Sequence, residues 1–174
     1  MPSGFTASTP EALALNVGVL KVDGTVIGLS DGGLDFDPGI VDLQIPFDGQ
    51  RAPIAEMEYR VDYKSKISGT FITPSVEFLQ QCEPGGTLVG DVITPIACGT
   101  RYAAGDYLTN VQLIIGRGDG TNLTVTFATA KITKYKLDSK DKAALKVNIE
   151  IMAYISATVA ASSTDTCPYT LTVA

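Results

Sequence analysis

The sequence has no histidine, no tryptophan and only three cysteines. Without histidine there is no Ser-His or Cys-His dyad, which removes the commonest nucleophilic hydrolase chemistries. The cysteines are Cys82, Cys98 and Cys167, an odd number with no Cys-x-x-Cys pair. Zinc would need cysteine plus carboxylates, an uncommon set, so thiols packed as small apolar residues are the simpler reading. No cofactor and no metal site are expected. A Cys82–Cys98 disulfide has no export signal to support it, and spacing alone leaves it open. Long apolar runs are missing, so neither a transmembrane helix nor a membrane partner is expected. Met1-Pro-Ser-Gly-Phe-Thr6 has no basic start and no apolar centre. It does not read as a signal peptide, and the chain is expected to be made in the cytoplasm of its producing cell.

Basic residues are scarce where acidic ones gather. Residues 1–50 hold seven acids and a single base, Lys21, and this segment accounts for the whole net charge of −6. Such a surface repels phosphates, which argues against nucleic-acid gripping there. The largest basic cluster is Lys131, Lys134, Lys136, Lys140, Lys142 and Lys146, opposed only by Asp138 and Asp141. A nucleic-acid site would carry arginines and interleaved aromatics, whereas Tyr135 is the one aromatic in this stretch. The cluster suits a solvated turn, or a patch meeting the acidic third of a neighbour. Asp35, Asp37 and Asp42 with Lys134, Lys136 and Lys140 are the candidate electrostatic contact.

What is abundant is apolar residues, 45% of 174, with 17 glycines and 9 prolines. This suits one large domain of strands and turns. Residues 1–13 read as an arm. Segments 15–22 and 25–29 read as strands around an Asp23-Gly24 hairpin turn. Ser30-Asp-Gly-Gly33 reads as a turn before a short strand at 34–37. Pro38 to Pro53 reads as a protruding hairpin or loop. Its apolar row Val41, Leu43, Ile45 and Phe47 alternates with polar residues and Pro46, and a proline bars a central place in a sheet. These four residues are the candidate inter-ring contact.

From Ala55 to Phe71 the alternation is strict. Glu56, Glu58, Arg60, Asp62, Lys64 and Lys66 take one face, and Met57, Tyr59, Val61, Tyr63 and Ile67 the other. Fully extended, this ribbon spans about 55 Å, whereas a domain of this length is about 40 Å across. It must bend, break at a glycine or protrude, and a sheet continuing into neighbouring subunits would use it. The six charges are the candidate lumen or seam ribbon.

A short helix is expected after Thr73 as N-cap and Pro74 at its first position, stopped by Pro84-Gly-Gly86, with Val76, Leu79 and Cys82 as its core stripe. Residues 87–108 are ambiguous. Strands follow at 110–115, 122–133, 144–154 and 169–173, with a basic connection from Lys134 to Lys142. The expected class is mainly β with one short α-helix. Gly116-Arg-Gly-Asp-Gly120 is read as a hairpin turn, since no helix follows to aim amides at a phosphate. Catalysis has little to draw on. Glu56 and Glu58 share a strand face, but among Arg60 and Lys64 on a solvated ribbon, so no enzyme is expected.

The order Leu15-Asn-Val-Gly-Val-Leu20, Val26-Ile-Gly-Leu-Ser-Asp-Gly-Gly33, Phe36 and Phe47-Asp-Gly49, followed by the charged ribbon and the helix, resembles the N-terminal half of major tail (tail tube) proteins of long-tailed bacteriophages. The resemblance covers residues 13–82. At Val17 and Ser30-Asp31 the sequence departs from the small and basic residues usual in that family. The resemblance implies a single β-sandwich or partly closed barrel with one flanking helix, forming homohexameric rings that stack into a tube. It implies a virion tail protein whose partners are itself, other tail proteins, and DNA passing through without specific binding. A secretion-system tube protein, or a β-sandwich binding or decoration module of a virion, are the other readings this order of motifs allows.

Overall fold

Asp23 and Gly24 take positive φ (48° and 80°) and close a tight hairpin between β1 (Val19–Val22) and β2 (Thr25–Val26). That backbone matches the right-handed twist of the flanking strands. The computed structural model describes residues 18–44, 58–72, 75–116, 121–139, 145–155 and 167–174. Strands make up 64% of these residues and helix 7%, so the chain is mainly β with one short helix. The remaining elements are β3 (Leu29–Asp37), β4 (Ile40–Gln44), β5 (Glu58–Tyr63), β6 (Lys66–Ile72), α1 (Val76–Gln81), β7 (Thr87–Val89), β8 (Val92–Thr94), β9 (Leu108–Gly116), β10 (Asn122–Asp138), β11 (Lys146–Tyr154) and β12 (Tyr169–Val173).

The principal sheet runs β2-β1-β9-β10-β11-β6-β3, and β12 also pairs with β10. All its pairings are antiparallel. β10 is 17 residues long and is shared between two layers. Its first half pairs with β9 and β12, and its second half with β11. Three strand spacings separate β3 from β10, about 14 Å in a flat sheet. Yet the rings of Phe36 on β3 and Phe127 on β10 are 6.2 Å apart. A Cβ placed on Gly18, next to β1 near the far end of the order, would likewise lie 3.4 Å from the Cβ of Leu34 on β3. The sheet therefore folds over on itself into a partly closed barrel.

Alternation fills the space inside. Leu20, Val111, Leu113, Val125, Phe127 and Val147 are fully buried, with Ile67, Phe71, Ile149 and Ile151 completing the core. α1 adds Phe78, whose ring lies 5.5 Å from that of Phe71. The N-cap is Ser75, not Thr73: its hydroxyl accepts the Phe78 N–H at 3.2 Å. Pro74 thus lies before the cap, and it and Thr73 fall outside the described residues. The helix stripe is also shifted. Phe78 and Cys82 are buried and Leu79 packs against the core, while Val76 is exposed.

Further expectations are corrected. Ser30 to Gly33 is not a turn between elements but an irregularity within β3, where the pairing to β6 shifts between Ser30 and Leu34. Lys134 to Asp138 is not a connection but the second half of β10, paired to β11. Residues 87–94 form a small separate hairpin, β7–β8, turning at Gly90-Asp91. The three cysteines are free thiols, Cys82 buried and the other two exposed, so no Cys82–Cys98 bond is present. The residues 1–13 and 117–120 lie outside the described residues.

Candidate assembly surface

The charged ribbon is not one strand. It breaks at Lys64-Ser65, not at Gly69, and its two parts belong to different sheets. β6 sits inside the principal sheet between β3 and β11. β5 leaves that sheet and, among the described residues, pairs only with β4, as a two-stranded hairpin. The break conserves the alternation, because two residues are lost to it. Ser65, Ile67 and Phe71 are buried and Tyr63 half-buried, all at odd positions.

The root of the hairpin is fixed by backbone chemistry. The Gly39 N–H donates to the Asp37 carboxylate at 2.9 Å. The Lys64 N–H donates to the Gly39 carbonyl at 2.8 Å, and the buried Ser65 hydroxyl donates to the Pro38 carbonyl at 2.8 Å. Gly39 has φ +56°, and a Cβ there would lie 2.2 Å from the Lys64 carbonyl oxygen. Only glycine allows this close approach. On the other side, the Ala153 N–H of β11 donates to the Ser65 carbonyl at 2.9 Å.

Beyond the root the hairpin runs out of core. Leu43, Tyr59 and Val61 are 55%, 54% and 55% exposed, and Ile40 and Val41 are exposed with them. Leu43 stands opposite Tyr59, and Ile40 opposite Tyr63. These are cross-strand apolar pairs of the kind that stabilise a sheet face. The register shifts between Val41 and Asp42, which leaves Val41 opposite Asp62 and breaks the regular row predicted from Val41 through Phe47. Ile45 and Phe47 lie outside the described residues, as do Glu56 and Lys140. The second edge of β5 faces a hollow of about 580 Å³ shared with Met152, Tyr154 and Pro168.

Part of the charged side is paired within the chain. The Arg60 Nε donates to Asp42 Oδ1 at 3.0 Å, and its ring-facing side covers Tyr63 at 5.5 Å. These partners, Asp42 first, hold the Arg60 guanidinium above its ordinary range, so it stays charged. Asp37 lies 3.8 Å from Lys66, Lys134 lies 3.4 Å from Glu150, and Asp31 pairs with Lys146. Glu58, Asp62 and Lys64 are exposed. Of the candidate electrostatic contact, Asp35 and Lys136 have no ion-pair partner among the described residues.

Sequence reasoning placed Tyr59 and Val61 on a dry face and missed that the core ends below them. It also missed the tyrosines Tyr102, Tyr107 and Tyr154, which cluster with Lys131 on the outer face of the sheet. Among the described residues no group of histidine, cysteine or acidic side chains is arranged to hold a metal ion, and no helix is long and apolar enough to cross a membrane. No protein-family model and no curated protein sequence matches the chain.

Proposed function

We propose that the protein is a structural subunit that assembles with copies of itself into rings and stacked tubes, as the tail tube of a long-tailed bacteriophage. The observation that carries this reading is the β4–β5 hairpin. An isolated two-stranded ribbon is marginal in water, and this one shows its apolar residues to solvent. A second subunit would bury them and satisfy the strand edges, which otherwise invite uncontrolled pairing. β12 adds another such edge: among the described residues it pairs with β10 alone, and its Leu171 and Val173 are exposed. Repeating contacts of this head-to-tail kind close into a ring by rotation and remain open along an axis.

The order of motifs from residue 13 to residue 82 supports the tail-tube form of this assembly, and a secretion-system tube is the second reading the same order allows. The net charge of −6 suits a conduit, because an acidic bore repels phosphates and lets DNA slide. In this reading the hairpin residues reach a neighbouring ring, the charges from Glu58 to Lys66 line a lumen or a seam, and no residue has a catalytic role. Electron microscopy of the purified chain tests it. Rings or tubes are the expected result. Uniform monomers at all concentrations overturn the proposal.

A further inference from the structure

Ala130 and Ile132 of β10 are buried, so Thr129 and Lys131 project from the opposite, outer face of the sheet. The segment preceding β9 crosses that face and brings two tyrosines to it. The Lys131 Nζ lies 4.1 Å from the ring centre of Tyr102 and 5.4 Å from that of Tyr154. Tyr107 meets both rings edge-on, at 6.4 Å and 5.6 Å. The Ala103 N–H donates to the Asp106 carboxylate at 2.6 Å and holds the short 3-10 turn at Ala104–Asp106 that carries Tyr107 onto the sheet. The ammonium thus pins the crossing segment by its attraction to two ring faces.

Beside this clamp lies a hollow of about 550 Å³. Its walls include Arg101, Tyr102, Tyr107, Thr109, Thr129 and Tyr154. Thr109 and Thr129 are cross-strand partners, so their side chains share one face of the sheet. Burial, followed by the neighbouring Tyr107 and Tyr102 phenols, pushes the Tyr154 hydroxyl above its ordinary range, which fits three phenols gathered at one place. Neither Arg101 nor Lys131 has a carboxylate partner among the described residues.

We propose that this hollow binds an acidic sugar, a pyranose ring bearing a carboxylate. Tyrosine rings offer apolar surface with a polar tip, matching the C–H faces and hydroxyl rim of a pyranose. Five hydroxyls line the hollow, and each both donates and accepts, as sugar hydroxyls do. Arg101 supplies the planar fork that grips a carboxylate at two points. The described lining contains no asparagine or glutamine to read adenine and no aspartate or glutamate to read cytosine. A size of several hundred cubic ångströms lies within the range of small-ligand sites.

The test uses the full chain in whatever assembly state it adopts. With seven tyrosines and no tryptophan, its intrinsic emission comes from tyrosine, which makes binding at this cluster visible. Glucuronate, glucose, adenosine monophosphate and 4-hydroxybenzoate are titrated in turn, by emission and by calorimetry. Glucuronate is expected to bind saturably, with glucose at least tenfold weaker. Arg101→Gln should bring glucuronate down to the level of glucose, and Thr129→Val should weaken both sugars. No saturable glucuronate binding up to about 10 mM, tighter binding of either aromatic anion, or an unchanged Arg101→Gln variant overturns the assignment. None of the residues invoked lies on β4 or β5. Failure here therefore leaves the assembly reading standing, and failure of assembly leaves this site testable.

Discussion

Replacing Leu43, Tyr59 and Val61 together by threonine separates assembly from folding. Each side chain is about half exposed in the single subunit. Full burial of such a side chain contributes about 1.5–3 kcal/mol, so the half still available to a partner is worth about 1 kcal/mol. Three together give about 3 kcal/mol per contact, about a hundredfold in the association constant. Threonine retains strand propensity. The cost to the subunit is limited to lost cross-strand contact and small surface effects, about 1–2 kcal/mol in all. Were these residues core instead, truncation would cost about 2–5 kcal/mol each and the chain would unfold. Sedimentation velocity over a hundredfold range of concentration reads the first effect, and thermal melting the second. The expected outcome is a folded subunit whose assembly threshold rises by about two orders of magnitude. Assembly at the parent's concentration, or loss of the folded state, would refute the argument.

Joining Gly39 to Lys64 through an Asn-Gly turn, with residues 40–63 removed, should leave the principal sheet folded and abolish tubes. Circular dichroism and electron microscopy check this, and normal tubes would show that the hairpin is dispensable. Lys136→Glu should slow assembly at low salt and Asp35→Lys in the same chain should restore it. Light scattering should show the difference vanish towards 1 M salt, where screening shortens to about 3 Å. An unchanged rate would reduce both charges to solvated surface. A disulfide reagent should modify Cys98 and Cys167 at once but Cys82 only on unfolding. Burial, then the neighbouring Glu83, pushes the Cys82 thiol up to about 12, so little reactive thiolate forms. Three fast thiols in the native protein would contradict the buried placement.

Period-two alternation was readable wherever a strand has one dry face. β9 and β11 follow it, and these two and β12 fall close to their expected bounds. It failed where a strand leaves the core. Lys134 to Asp138 alternates polar and apolar residues, but the register shifts after Ile132 and Lys134 to Leu137 are all exposed, so the dense charge of this stretch reads as a connection. The opposite error occurred at Tyr59 and Val61, whose pattern asks for a dry face that a single subunit does not supply. Ser30-Asp-Gly-Gly33 has turn residues because the irregularity in β3 uses positive φ at Gly32 and Gly33, and composition alone does not tell a bulge from a turn. The β7–β8 hairpin was not legible: residues 87–108 are ambiguous as sequence, because its two runs are only three residues each around Gly90-Asp91. The tyrosine cluster had no such marker, since Tyr102, Tyr107 and Tyr154 meet only through long-range pairing of β9, β10 and β11.

That pairing also sets an order of events on the ribosome. β1 finds its partner in β9 and β6 finds its partner in β11, each far along the chain. Such distant closures are slow, and they wait for residues not yet synthesised. The β4–β5 pairing is local by comparison and needs only the first third of the chain. Before β11 is made, the β4–β5 segment has its own strand partner but no sheet beneath it, and an isolated pair of strands is marginal in water. Docking of β11 ties down the hairpin's root, where the Ala153 N–H donates to the Ser65 carbonyl. The chain's own topology thus orders two events: the direction in which the hairpin points is fixed only once β11 has docked on Ser65.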